Sequence, residues 1–115
     1  MQLSETRSGD VLVLSAAGRI DHQTAEAFRL ALEPKLANCK AGGDPIVIDL
    51  AKVDYISSVG LRVLLMASKR ASGQQGKIAV AAMQPTVAEV YRISRFDAIL
   101  PSYDSVEAAT NGLNG

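Results

Sequence analysis

Two adjacent serines, Ser57 and Ser58, stand between an apolar β-branched run and a stretch with helical periodicity. At a helix start a hydroxyl accepts hydrogen bonds from first-turn N–H groups that have no partner within the helix, so one of the two serines is expected as an N-cap. The same place suits an added anion, because the aligned peptide dipoles stabilise negative charge there by roughly 0.3–1 kcal/mol when exposed. A phosphoryl group would bring ~1.5 to 2 negative charges and change any surface built around that helix end. Gly60, lacking a Cβ, lets another backbone or a ligand come close, or packs tightly on the sheet.

The other chemistry-bearing residues do not assemble into a catalytic or metal set. Asp49 and Asp54 could suggest a carboxylate pair for acid–base work, but no His, Cys or Lys accompanies them as a catalytic set, so they read as a strand-end carboxylate and a loop residue. His22 is the single histidine and Cys39 the single cysteine, which rules out a histidine cluster and an internal disulfide. His22 reads as an exposed first-turn residue and Cys39 as a structural thiol. Gly73-Gln74-Gln75-Gly76 lacks the Gly-Lys-[Ser/Thr] pattern of a phosphate loop and reads as a turn. Lys69 and Arg70 read as a solvated helix face, and Met66 and Met83 as core fillers. No cofactor, metal or enzymatic activity is expected.

The elements that must position the serines follow from periodicity. Leu3 to Arg7 and Val11 to Ala16 flank Ser8-Gly9-Asp10 and predict a hairpin; the second run is apolar on both faces and is closed by Gly18. Asp21 is the expected N-cap of a first helix, with Thr24 in its first turn and Ala25, Phe28, Leu32 and Leu36 on its apolar stripe through Lys40. Pro34 lies inside that pattern and interrupts its hydrogen bonding. Ile46 to Leu50 reads as a central strand, and after a brief loop a second helix runs from about Val59 to Ser72 with Leu61, Leu64, Leu65 and Ala67 inward. Lys77 to Ala82 is a further strand, and Thr86 to Ser94 a third helix with Pro85 near its start. Ile99-Leu100 is a short last strand, and Ser102 or Asp104 caps a final helix to about Thr110, leaving residues 110–115 as a loose tail. The alternation predicts a single α/β domain over residues 1–115, with a mostly parallel sheet and an antiparallel N-terminal edge.

Twelve basic residues balance twelve acidic ones in 115, which argues against nucleic-acid or anionic-membrane binding, both of which need a basic excess. No stretch approaches the ~18–20 apolar residues of a membrane span, and the first residues lack a signal peptide's apolar core, so a cytoplasmic location is expected.

Asp54-Tyr55-Ile56-Ser57-Ser58-Val59-Gly60-Leu61-Arg62 resembles the signature loop of STAS domains, specifically of bacterial anti-sigma factor antagonists. Gly18-Arg19-Ile20-Asp21-His22-Gln23-Thr24-Ala25 is similar to the family's segment before its first helix, Ile46 to Leu50 to its central strand, and Tyr91 to Phe96 to the end of its third helix. The resemblance spans nearly the whole chain and implies the STAS fold. It implies an antagonist that, unphosphorylated, binds an anti-sigma factor and frees a sigma factor or other target. That anti-sigma factor would be a serine/threonine kinase with a histidine-kinase-like ATPase fold, opposed by a PP2C-type phosphatase. The acceptor maps onto Ser58, with Ser57 a secondary candidate because it stands where many relatives carry Asp. Asp21, His22, Thr24, Ser57, Ser58, Val59, Gly60 and Arg62 are the implied partner-binding residues, in a protein monomeric when free. Arg62 replaces a small residue, and Arg95 stands where many relatives have Gly, at a modest cost of ~1 kcal/mol if the backbone there is left-handed. The alternatives are a STAS subunit docked on a lipid-transporting ABC ATPase and a component of a sensor-linked assembly.

Overall fold

A computed structural model describes residues 3–114. Five strands form one sheet in chain order: β1 (Ser4–Ser8), β2 (Val11–Ile20), β3 (Ile46–Ile56), β4 (Ile78–Ala81) and β5 (Ser102–Tyr103). Only β1 is antiparallel to its neighbour. The four helices are α1 (Ala25–Leu36), α2 (Ser58–Gly73), α3 (Pro85–Ile93) and α4 (Val106–Asn114). Each β-α-β connection steps one strand in the same direction, and right-handed crossovers then place α1, α2 and α3 on one face. The packing agrees. Leu12, Leu14, Ile46 and Ile48 join Phe28, Leu32, Leu64 and Tyr91 in the larger core, while Val11, Val13 and Val47 meet Ala109 of α4 in a smaller one on the opposite face. Adjacent strand residues therefore serve different layers, the period-two consequence of the pleat. This is the mostly parallel α/β sheet with an antiparallel N-terminal edge that the alternation predicts.

The strands leading to the serine pair run further than their sequence suggests. β2 continues past Gly18, at φ +90°, to Ile20, and β3 continues past Leu50 to Ile56. Against β2, β3 carries extra residues twice: Ser15 pairs with Asp49 but Ala17 with Lys52, and Gly18 pairs with Val53 but Arg19 with Tyr55. These bulges space the buried residues Leu50, Val53 and Ile56 three apart, which hides the alternation and makes the segment read as a loop. Asp49 and Asp54 are accordingly both strand residues.

Other boundaries move for local reasons. α1 ends at Leu36, not near Lys40, two residues after Pro34 in its last turn. The last strand is Ser102–Tyr103, not Ile99-Leu100: Leu100 is buried in the larger core and its carbonyl accepts from the Tyr91 hydroxyl. α4 is capped by Ser105, whose Oγ accepts from Ala108 N–H at 3.0 Å, not by Ser102 or Asp104. It runs to Asn114 rather than loosening at Thr110, because Ala109 and Thr110 are buried; Gly115 lies outside the described residues. Arg95 is left-handed at φ 60°, the conformation for which a glycine is the unstrained choice. Among the described residues no helix is long and apolar enough to cross a membrane.

Candidate functional site

β2 and β3 end side by side, and α1 and α2 leave from those ends. The Ser57 N–H donates to the Ile20 carbonyl at 2.8 Å, fixing the direction in which the chain enters α2. That constraint distinguishes the two serines. Ser57, with extended backbone (φ −93°, ψ 173°), is the N-cap: its Oγ accepts from Gly60 N–H at 3.3 Å and its carbonyl from Leu61 N–H at 2.9 Å. Ser58 is the first helical residue, exposed, its hydroxyl uncommitted among the described residues. The sequence leaves open which serine is the cap; the structure puts the cap on Ser57 and the exposed hydroxyl on Ser58.

Gly60 is explained by contact with the sheet. A Cβ there would lie 2.7 Å from Ile20 Cγ2, 2.8 Å from Ile56 Cγ1 and 3.0 Å from the Ile20 carbonyl oxygen. The missing side chain lets the first turn of α2 sit on the ends of β2 and β3, with no room left for a ligand at that point.

The turn between β2 and α1 is built on Asp21. Its Oδ1 accepts from Gln23 N–H at 2.9 Å and Thr24 N–H at 3.2 Å. These bonds favour the ionised form, the Gln23 one most, and hold the carboxyl below the usual aspartate range. Thr24, not Asp21, is the N-cap residue of α1, and it caps without a side-chain bond to the helix. Its hydroxyl instead donates to the Arg19 carbonyl at 2.7 Å and accepts from Asp21 N–H at 3.0 Å. Arg19 reaches Asp21 at 3.5 Å and lies over the Tyr55 ring at 4.2 Å. Asp21 and Thr24 are thus engaged in holding the turn, while His22 is exposed.

Of the remaining carboxylates, Asp54 is exposed two residues before the end of β3. Asp49 lies seven residues before that end, roughly 20 Å away at ~3.3 Å per strand residue. It accepts from Ser15 Oγ at 2.9 Å and Ala51 N–H at 3.0 Å, and at that distance, beyond a Debye length, its charge is largely screened from Ser58.

A groove of ≈ 310 Å³ opens beside Ser58 between α1 and α2, bounded by His22, Ala25, Glu26 and Arg29 on one side and Val59, Arg62, Val63 and Met66 on the other. Met66 is therefore half-exposed groove wall and not a core filler; Met83 does pack against the core. The sequence carried a signal for this wall in the spacing of Val59, Val63 and Met66 and of Arg62 and Met66, which puts them on neighbouring stripes of one helix. Further along α2, Arg70 is not merely solvated: it crosses to Glu33 of α1 at 2.9 Å. Cys39 is buried, its Sγ 3.3 Å from the Lys77 carbonyl, and burial pushes its pKa up, as suits a structural thiol. No group of three or more His, Cys, Asp or Glu residues among those described could hold a metal ion.

Comparison with known proteins places these features in a family context. The STAS domain profile matches residues 2–109. A Bordetella bronchiseptica protein, BtrV, provisionally named an anti-sigma factor antagonist, is 35% identical over 109 residues, covering 95% of this chain and 91% of its own. The anti-sigma-F factor antagonist RsfB of Mycobacterium tuberculosis is 30% identical over 105 residues, covering 91% and 83%. In three dimensions the chain superposes with a TM-score of 0.88 on the crystal structure of an anti-sigma factor antagonist from Mycobacterium paratuberculosis, at 24% identity over 99% of this chain and 94% of that one.

Proposed function

The chain belongs to the STAS domain family, and we propose that it is an anti-sigma factor antagonist switched by phosphorylation of Ser58. In this reading the unphosphorylated protein binds an anti-sigma factor that is also a serine kinase of histidine-kinase-like ATPase fold, so that the sigma factor or other target is released. The exchange runs in the cytoplasm, where ATP is at hand, and a PP2C-type phosphatase restores the binding form. The antagonist is a binding protein with no catalytic residue of its own.

The observation that carries this reading is the division of labour between the serines. A kinase needs a hydroxyl that is exposed and free to be extended toward ATP; Ser58 meets that need and Ser57 does not. Phosphorylating Ser57 would sacrifice the cap of α2, whereas a phosphoryl group on Ser58 leaves the cap intact and gains the favourable end of the helix dipole. Ser57 is therefore demoted as an acceptor. The docking surface comprises the α2 end at Ser58, Val59 and Arg62 and the neighbouring turn at Asp21 and His22, with Thr24, Ser57 and the buried Gly60 holding its shape.

The switch is electrostatic. A dianion at the centre of a desolvated interface, beside the ionised Asp21 turn, costs several kcal/mol if unpaired. The gain at the helix end is smaller, so dissociation wins. At ~1.4 kcal/mol per tenfold the affinity falls by at least about a hundredfold. The test is incubation with the kinase and ATP, followed by mapping of the added mass. Phosphate on Ser58, absent from Ser58→Ala, is the expected result; mass on any other residue, or full partner affinity in Ser58→Asp, overturns the reading.

A further inference from the structure

The charges around the groove between α1 and α2 are unequally committed. Glu26 and Arg29 pair with each other on α1, Arg29 also reaches Glu33 at 3.8 Å, and the Arg29 guanidinium draws the Glu26 carboxyl below its ordinary range. That side is neutral within itself. Across from it Arg62 is exposed and makes no ion pair among the described residues. Between these rims the lining is apolar: buried Ala25 and Val63, and half-exposed Val59 and Met66. The unbranched thioether of Met66 adapts to differently shaped side chains. An apolar floor bordered by one uncommitted cation is complementary to an apolar side chain flanked by a carboxylate.

We infer that this groove is a docking site for an acidic amphipathic segment of the anti-sigma partner, with Arg62 as its charge anchor. The inference rests on the antagonist reading and specifies its partner chemistry. It also ties the groove to the switch. Ser58 and Arg62 are four residues apart on α2 and so are neighbours on one helix face. A phosphoryl group on Ser58 competes for the Arg62 guanidinium and removes the anchor from the partner. Phosphorylation thereby acts twice, by repulsion at the helix end and by occupying the groove's one unpaired guanidinium among the described residues.

The probe is a synthetic twelve-residue helical peptide with leucines on one face flanked by glutamates, titrated into the full isotope-labelled chain and followed by amide NMR shifts. The expected perturbations fall on Val59, Arg62, Val63 and Met66. Replacing the glutamates by glutamine should weaken binding about twofold to fivefold, the worth of an exposed ion pair. Arg62→Ala should abolish the difference between the two peptides, and so should phosphoserine installed at position 58 during synthesis. Equal binding of both peptides to the wild-type chain, or shifts centred elsewhere, overturns the inference. No kinase takes part, so failure here leaves the antagonist reading standing, and failure of the kinase mapping leaves the groove result readable.

Discussion

The two ends of the sheet are both polar and both concave, yet their polar groups are used in opposite ways. At the N-terminal ends of the parallel strands, Arg7 grips Asp44 through two hydrogen bonds of 3.0 Å, and Asn38 adds a third at 3.0 Å to the same carboxylate. They line a larger hollow of ≈ 670 Å³ in which Arg7 and Asp44 answer one another. At the C-terminal ends, Asp21, Thr24 and Ser57 are likewise bonded, but among the described residues Ser58 and Arg62 have no side-chain partner. Size is therefore a poor guide to which end has bonding capacity to spare. A polar group already paired within the fold has little to offer a partner, and one left over at a rigid, well-capped helix end has its full bonding capacity available.

The sharpest way to break this contrast is to charge each end and measure partner affinity. Ser58→Asp should lower it by at least about a hundredfold while moving the unfolding midpoint little. Arg7→Ala, at the opposite end, should leave affinity within about twofold, and isothermal titration against the anti-sigma factor reads both. A second experiment probes the rigidity of the serine end. Gly60→Ala forces a Cβ into Ile20 and Ile56 and should destabilise by about 1–3 kcal/mol in urea unfolding. A third separates the serines: Ser57→Ala should cost about 1 kcal/mol through loss of the cap, while Ser58→Ala should stay within ~0.5 kcal/mol. Equal costs would contradict the assignment of the cap. The smallest effect concerns pH. The Asp21 carboxyl titrates lower folded than unfolded, so its contribution is fully present above the unfolded value near ~3.9 and is lost as pH falls through the folded one. Asp21→Asn should accordingly lose less stability than wild type between pH 5 and pH 2, measured by thermal melting.

Much of this arrangement is legible in the chain itself. The run Val11 to Leu14 announces a strand covered on both faces and the run Ile46 to Leu50 a central strand, and all of these residues except the half-buried Asp49 are buried. The stripe of Ala25, Phe28, Leu32 and Leu36 announces α1, and its four members are its buried residues. What escaped lies where one residue answers to two patterns. The bulges in β3 give Leu50, Val53 and Ile56 a three-residue spacing, which no strand template recognises. Of α4 the helix itself was legible and only its cap and last turn escaped, because a short helix rich in small and polar residues depends for its extent on packing against Val11, Val13 and Val47 more than on propensity.

The sequence by itself determined the alternation of strands and helices, the helix start at the serine pair and the even charge balance, because these depend on local periodicity and residue counts. Only the tertiary structure decided which serine caps and which stands free. Two identical hydroxyls in succession are chemically equivalent until the Ile20 carbonyl fixes the approach of Ser57 N–H and with it the entry angle of α2. It also decided that Asp49 lies far from the site, and that Met66 and Arg62 border a groove shared with α1. Those outcomes depend on how long two paired strands run and where two helices meet, which are distances across the fold and not along the chain.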